Sequence, residues 1–120
     1  MKCDSLDVWK RSVQLSVEVY KYFSVCKDFG FKDQITRSCL AIPSNLAEGL
    51  EKQYLKDQIR YIDISKGSAA EFATQTIIGT KIGYIDNSTS ESLLKEINEI
   101  LSMMSKLQSY KKHKINSPRP

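Results

Sequence analysis

Six polar residues have types and spacings that could do chemistry. They are Gln34, Arg37, Asn45, Glu48, Ser68 and Glu71. Paired carboxylates can act as general acid and general base, so Glu48 and Glu71 would be the catalytic pair of a hydrolase. The same residue types also occur in buried networks without a catalytic role, because buried polar groups need hydrogen-bond partners.

A proline favours the structural interpretation of this polar set. Pro43 lies among apolar residues that recur at helical steps, and a proline inside a helix costs about 3 kcal/mol unless neighbours compensate. Asn45 and Glu48 share a helix face, which Arg37 can also share. We predict that Arg37 neutralises a carboxylate while Asn45 and Gln34 satisfy backbone groups loosened by the proline. The set is therefore predicted to be structural, and such a network can fix helix register.

Other catalytic and metal-binding patterns are missing from the sequence. His113 is the only histidine, which excludes a serine–histidine triad, the glutamate–histidine pair of di-iron bundles and histidine-based zinc sites. Cys3, Cys26 and Cys39 fit neither a disulfide framework nor a zinc site. The Lys66-Gly67-Ser68 run lacks the preceding glycines of a phosphate loop. We expect no enzyme activity, metal, cofactor or small-molecule substrate.

Composition indicates a single domain. The chain has 120 residues, of which 41% are hydrophobic, enough for one core. No segment approaches the roughly 18 consecutive apolar residues that span a membrane. Residues 1–5 do not resemble a secretory signal. We expect a cytoplasmic protein without a membrane partner.

Basic residues are the features that could bind nucleic acid. The net charge is +4, and the basic residues of the last ten positions account for the excess. Such a tail attracts phosphates, although a solubilising terminus has the same composition. A predicted stripe on the third helix, with Asp57 and Asp63 interrupting it, could also be an ordinary solvated face. The stripe is Lys52, Lys56 and Arg60, and the other candidates are Lys10, Arg11, Lys111, Lys112 and Lys114.

Apolar residues recur at steps of three and four along four segments, and no segment alternates as a strand does. Short connections between four helices predict an all-α, antiparallel up-and-down four-helix bundle. The predicted helices span about 6–26, 32–50, 54–83 and 89–112. A single domain at 1–113 would precede a flexible basic tail at 114–120.

Local signals refine these helices. Asp4 or Ser5 could cap the first helix, and Gly30 could turn the chain after it. The fourth helix opens with the capping-box pattern Ser88-Thr89-Ser90-Glu91. The main apolar stripe of the first helix is Leu6, Trp9, Val13, Val17, Tyr20 and Phe23, while Leu15, Val19 and Tyr22 lie off it.

Two residues inside the predicted helices need an explanation. The apolar steps continue on both sides of Pro43, which favours one kinked helix, although Pro43 could instead begin a new helix. Gly67 lies at the centre of the third helix, where a glycine costs about 1 kcal/mol relative to alanine. We expect this glycine to allow the close approach of another helix.

Several motifs resemble those of one family. They are Leu6-x-Val8-Trp9, Gln34-x-x-Arg37, Ile42-Pro43-Ser44-Asn45-Leu46-Ala47-Glu48-Gly49, Gly67-Ser68-x-x-Glu71 and Gly83-Tyr84. Together they cover most of the chain, which resembles the small four-helix-bundle proteins encoded within intervening sequences of bacterial 23S ribosomal RNA genes. Thr36 and Ala41 depart from the arginine and serine that are usual in the family, which weakens any role for the turn before the proline.

This resemblance implies a bacterial protein and a ring-like homopentamer. A relative of the family, the accessory protein of diversity-generating retroelements, works with a reverse transcriptase and nucleic acid. No enzymatic activity is established for the family. We therefore expect a non-enzymatic homo-oligomer that binds structured RNA or a nucleoprotein partner through basic surfaces. The alternative is a protein-interaction scaffold that docks a partner enzyme without touching nucleic acid.

Overall fold

Four helices make up the fold in the computed structural model, which describes residues 1–116. The helices are α1 (Asp7–Tyr22), α2 (Phe29–Leu50), α3 (Leu55–Lys81) and α4 (Asn87–Asn116), and a 3₁₀ turn, Phe23–Val25, follows α1. No strand occurs between residues 1 and 116. Each helix packs against the next, and α4 also contacts α1. The predicted all-α, antiparallel four-helix bundle is confirmed.

The bundle is elongated, measuring 57 × 22 × 21 Å. One end carries the start of α1, the connection between α2 and α3, and the last turns of α4. The opposite end carries the other two connections. Between residues 1 and 116, none of the helices is apolar enough over a sufficient length to cross a membrane.

An aspartate starts α2 earlier than predicted. The Asp28 carboxylate accepts a hydrogen bond from the Phe31 amide at 3.1 Å, which is an N-terminal cap. The Tyr84 hydroxyl also donates to Asp28, at 2.7 Å. The hydrogen bond from the Phe31 amide, and to a lesser extent the one from the Tyr84 hydroxyl, lower the pKa of Asp28. Gly30, predicted to turn the chain, lies instead in the first turn of α2.

The start of α4 is capped by Asp86 and not by the predicted Ser88–Glu91 box. The Asp86 carboxylate accepts bonds from the Thr89 amide at 2.8 Å and from the Thr89 hydroxyl at 2.9 Å. The helix therefore begins about one half-turn earlier than predicted. The predicted cap, Ser88, is wrong because Asp86 stands only two positions before it and supplies a stronger, charged acceptor.

Two further predicted boundaries differ from the structure. Leu6 is the N-cap of α1 and makes no side-chain cap, so neither Asp4 nor Ser5 caps that helix. At the other terminus, α4 continues through Asn116, so residues 114–116 of the predicted tail are helical. The rest of that tail, residues 117–120, lies outside the described residues.

The predicted main stripe of α1 faces the core only in part: Phe23 is buried and Trp9 packs against the core, but other members do not. Leu15 and Val19, which lay off that stripe, are completely buried. Val17 and Tyr20, which belonged to it, are 40% and 68% exposed. Because α1 has two apolar stripes side by side, periodicity alone could not select the one that faces the core. Val13, Val17 and Tyr20 consequently lie at the surface, beside α2.

The proline lies inside one continuous helix, as predicted, and its missing hydrogen bond is replaced. Pro43 has no N–H, so the carbonyl of Cys39 loses its usual helical donor. The Ser16 hydroxyl of α1 lies 3.2 Å from that carbonyl and 3.0 Å from the Ser12 carbonyl of its own helix, so its one proton is shared between the two acceptors. From the other side, the Ser65 hydroxyl of α3 donates to the Ile42 carbonyl at 2.8 Å. Serines on two neighbouring helices thus support the backbone around the proline.

Helices α2 and α3 approach closely at a different glycine from the one predicted. A Cβ atom at Gly49 would lie 2.4 Å from the Cβ of Tyr61, so no larger residue fits there without a shift of the helices. A Cβ atom at Gly67 would meet nothing within 4 Å. Gly67 is exposed, and the prediction that it allows close packing within the chain is wrong.

Candidate nucleic-acid interface

The predicted polar set is not one network in the structure. Arg37 is exposed and pairs with Asp33 of its own helix at 2.9 Å, and this bond raises the pKa of Arg37. Asn45 donates to the Ala41 carbonyl, also in α2, at 2.8 Å. Arg37 therefore pairs with a residue one turn earlier and not with Glu48, because the nearer carboxylate on the same face is reached first.

The two candidate carboxylates have separate partners. Glu48 accepts a hydrogen bond from the Tyr61 hydroxyl at 3.3 Å, and Glu71 accepts one from the Gln75 amide at 3.3 Å. Both carboxylates are exposed. Among residues 1–116, no hydrogen bond or ion pair joins any two members of the polar set.

Sequence reasoning missed one of the side-chain hydrogen bonds that join α2 and α3. The Ser38 hydroxyl is buried and donates to the Gln75 amide oxygen at 2.6 Å. Gln34 is exposed and Ser68 is half-buried, so neither takes that role. The available signal was the position of Ser38, three residues after Ile35 on the core-facing side of the helix.

A second missed cluster surrounds a buried glutamine of α4. The Gln108 amide donates to Asp63 at 3.1 Å and to the Ile59 carbonyl at 3.3 Å. Its oxygen accepts from Lys66 at 3.1 Å. Gln108 stands four residues after Met104 on the apolar seam, which is the signal that could have found it. Asp63 is therefore bonded to α4 and is not a simple interruption of the basic stripe.

The cysteines are packing residues. Cys39 is buried, and burial raises the pKa of its thiol to about 12. Burial also raises the pKa of Cys3. A reactive cysteine needs a lowered pKa and an accessible sulfur, so neither thiol is activated.

The predicted basic stripe is divided between α3 and the segment that precedes it. Of the three residues of the predicted stripe, Lys52 precedes α3, and Lys56 and Arg60 lie on that helix. Lys52 and Arg60 nevertheless meet at one aromatic ring. The Nζ atom of Lys52 is 5.1 Å, and the Cζ atom of Arg60 4.8 Å, from the ring centroid of Tyr61. Both cations are therefore held at the same surface by cation–π contacts.

The last turns of α4 bring further lysines to the same end. The Lys111 ammonium donates to the Gln58 side chain of α3 at 2.7 Å. Burial lowers the pKa of Lys111, and the nearby charges of Lys114 and Lys2 lower it further. Positive charges from the chain start, α3 and α4 thus lie near one another. We call this region the basic end, which comprises Lys2, Lys52, Lys56, Arg60, Lys111, Lys112 and Lys114.

A surface cavity of about 440 Å³ lies within the basic end. It is lined by Gln53, Tyr54, Leu55, Lys56, Lys114 and Ile115. The acids nearby are Glu51, whose carboxylate accepts from the Lys2 amide at 2.9 Å, and Asp57 in the first turn of α3. Lysines of α3 and α4 face a common space here, as a site for a polyanion requires.

The candidate residues on α1 behave differently from those of the basic end. Arg11 is bonded to Glu96 and Glu99 of α4, with its Nε atom 3.1 Å from Glu96. These two carboxylates raise the pKa of Arg11 and neutralise its charge. Lys10 is exposed on the first turns of α1. Arg11 is a bundle contact, so only Lys10 of this pair can add charge to a binding surface.

A long apolar groove runs between α1 and α2. It contains two adjoining cavities of about 410 and 320 Å³. Val17, Ser16 and Leu40 line both, and Leu40 is 57% exposed. Trp9 and Tyr20 lie toward its two ends. We call this feature the α1–α2 groove; its α1 side includes those residues of the predicted α1 stripe that the core does not bury, and α2 forms the other side.

A second apolar surface lies on α3. It consists of Ile78 and Ile82, which stand four residues apart at the end of the helix and are 47% and 52% exposed. Ile64 and Ile77 are also exposed, but they lie several turns away or on another side of the helix. No α3 residue lines the α1–α2 groove. We call the pair Ile78 and Ile82 the α3 isoleucine face. The chain therefore exposes a concave apolar surface and, separately, a pair of branched side chains at the end of α3.

The comparisons with known proteins agree with the fold. The model of the 23S rRNA-intervening sequence protein family matches residues 4–106. A crystal structure from Bacteroides thetaiotaomicron, described as a protein with unknown function from the S23 ribosomal protein family, is similar with a TM-score of 0.80 and 25% sequence identity. The match covers 84% of this chain and 97% of that one. No curated protein gives a significant match. The chain belongs to the 23S rRNA-intervening sequence protein family.

Proposed function

We propose that this chain is a non-enzymatic, homo-oligomeric helical bundle that binds structured RNA, alone or within a nucleoprotein, through the basic end. The observation that carries the proposal is the convergence of lysines from three parts of the chain at one end of the bundle. The lowered pKa of Lys111 reflects mutual repulsion with Lys114 and Lys2 in addition to burial. A polyanion relieves such repulsion and releases its own counterions, which favours binding.

The two apolar surfaces support self-association. The α1–α2 groove and the α3 isoleucine face are separate surfaces, so a contact between them would join two copies head to tail. Repeated head-to-tail contacts close into a ring when the rotation allows. The expected number of five copies comes from the resemblance, while the pair of surfaces supports a ring in general. The second copy is the occupant that we propose for the groove.

A ring would strengthen a weak basic site. Each copy presents one basic end, so several copies on one RNA bind with an avidity that can exceed a single affinity by roughly 10² to 10⁴. The ring and the RNA site therefore support one function. This argument also explains how a chain whose net charge is only +4 could hold RNA.

Neutralising the basic end tests the proposal. We expect the variant Lys56→Ala/Lys112→Ala/Lys114→Ala to bind a labelled structured RNA roughly a hundredfold more weakly at physiological salt, since each lost phosphate contact removes a counterion-release term. All three side chains are exposed, so the fold should be unaffected. Fluorescence anisotropy gives the affinity, and circular dichroism checks the fold.

The matched control removes the same charge elsewhere. Lys27, Lys81 and Lys95 are exposed and lie outside the basic end. Their triple alanine variant should bind within about twofold of the parent chain, because it removes no phosphate contact. Equal losses in both variants would mean that RNA senses net charge and not the basic end.

The scaffold alternative is favoured by the α1–α2 groove, whose apolar lining could receive a helix of a partner enzyme. The partner would then replace the second copy. Purification of the chain from its cells with nuclease treatment separates the two functions. A stoichiometric enzyme that stays bound after nuclease treatment, together with a parent chain that binds no RNA, would support the scaffold.

A further inference from the structure

Two exposed tyrosines flank the lysines of the basic end. Tyr54 is 65% exposed and lines the 440 Å³ cavity with Lys56 and Lys114. Tyr110 is 59% exposed, and the Lys114 ammonium lies 5.3 Å from the centroid of its ring. Lys114 thus borders both aromatic side chains. Neither tyrosine belongs to the hydrophobic core.

Aromatic rings beside lysines favour one state of a nucleic acid. In a duplex the faces of the bases are stacked on one another, so a protein ring can reach only groove edges and phosphates. In an unpaired segment each base has a free face, which stacks on tyrosine while nearby cations hold the phosphates. The α3 helix also begins at this cavity without a side-chain cap, which leaves amide donors of its first turn for an anion.

We propose that the basic end binds an unpaired segment of RNA, with Tyr54 and Tyr110 stacking on bases and with Lys56 and Lys114 contacting phosphates. This inference rests on the proposed RNA binding and names the state of the strand that the site recognises. The cavity lies within the usual range of roughly 300 to 1,000 Å³ for small-ligand pockets, which accommodates a base.

The test compares two RNA probes on the full chain. One probe is a short labelled oligouridine, which is single-stranded, and the other is an RNA duplex with the same number of phosphates. Tyr54→Ala and Tyr110→Ala should each weaken oligouridine binding by roughly fivefold to a hundredfold, the range for the loss of one stacked base. Binding of the duplex should change by no more than about twofold, because it depends on charge alone.

Phenylalanine variants are the matched controls. Tyr54→Phe and Tyr110→Phe keep the ring and should retain oligouridine affinity, whereas a loss in these variants would overturn the stacking role. Equal losses on both probes in the alanine variants would also overturn it. If the duplex alone binds, the inference fails and the proposed function survives. If neither these probes nor a structured RNA binds, both fail.

Discussion

Gly49→Ala should lower the free energy of unfolding by about 2 to 3 kcal/mol, in the upper part of the range for overpacked sites. The added methyl group would lie 2.4 Å from the Cβ of Tyr61. That atom is attached directly to the α3 backbone, so a side-chain rotation cannot remove the clash and the two helices must separate. Urea denaturation at a fixed protein concentration measures the change.

Gly67→Ala is the control, because it is the same substitution in open space. With nothing within 4 Å of the new atom, it should stabilise the chain by up to about 1 kcal/mol through helix propensity. If the two variants lose stability equally, the close approach of α2 and α3 at Gly49 is contradicted.

Leu40→Lys should convert the proposed ring into monomers and lower the proposed RNA affinity by roughly 10² to 10⁴, the loss of multivalent avidity. Leu40 lines both cavities of the α1–α2 groove. The new ammonium would stand beside Lys21 and Arg37, which line the same groove, and burying it against a second copy would be costly. Light scattering after gel filtration measures the mass, and anisotropy measures the RNA affinity.

The control for this prediction is Ser102→Lys, which adds the same charge to an exposed position of α4. It should leave both the mass and the RNA affinity near those of the parent chain. A Leu40→Lys chain that stays fully assembled would place the contact between copies elsewhere. A monomer that binds RNA as tightly as the ring would contradict the role of multivalency.

The continuous helix through Pro43 could be predicted because apolar steps persist on both sides of the proline, and periodicity depends on local sequence alone. The hydrogen bond that replaces the one lost at Pro43 could not be predicted in this way. That bond depends on Ser16, which lies on another helix. Likewise, Leu15 and Tyr20 both follow helical spacing on α1, and only the positions of α2 and α4 decide which side is buried.

The basic residues of the candidate site and their common end of the bundle could be predicted, whereas their side-chain contacts could not. Lysines cluster in the sequence near the start of α3 and the end of α4, and the up-and-down order of the helices brings these segments to one end. Arg11 is neutralised by Glu96, a residue 85 positions away in the sequence, and no local pattern predicts such a contact. Tyr54 becomes a candidate binding residue only because the structure places it in the same cavity as Lys114.

The most direct test of RNA binding at the basic end is its salt dependence. For the parent chain and a structured RNA, the logarithm of the association constant should fall linearly with the logarithm of the salt concentration, with a slope of about −0.7 to −0.9 for each phosphate contacted. In the Lys56→Ala/Lys112→Ala/Lys114→Ala variant the slope should become shallower by about 2 to 3, at roughly one per lysine that contacts phosphate. A parent slope near zero, or the same slope in both chains, would contradict the account.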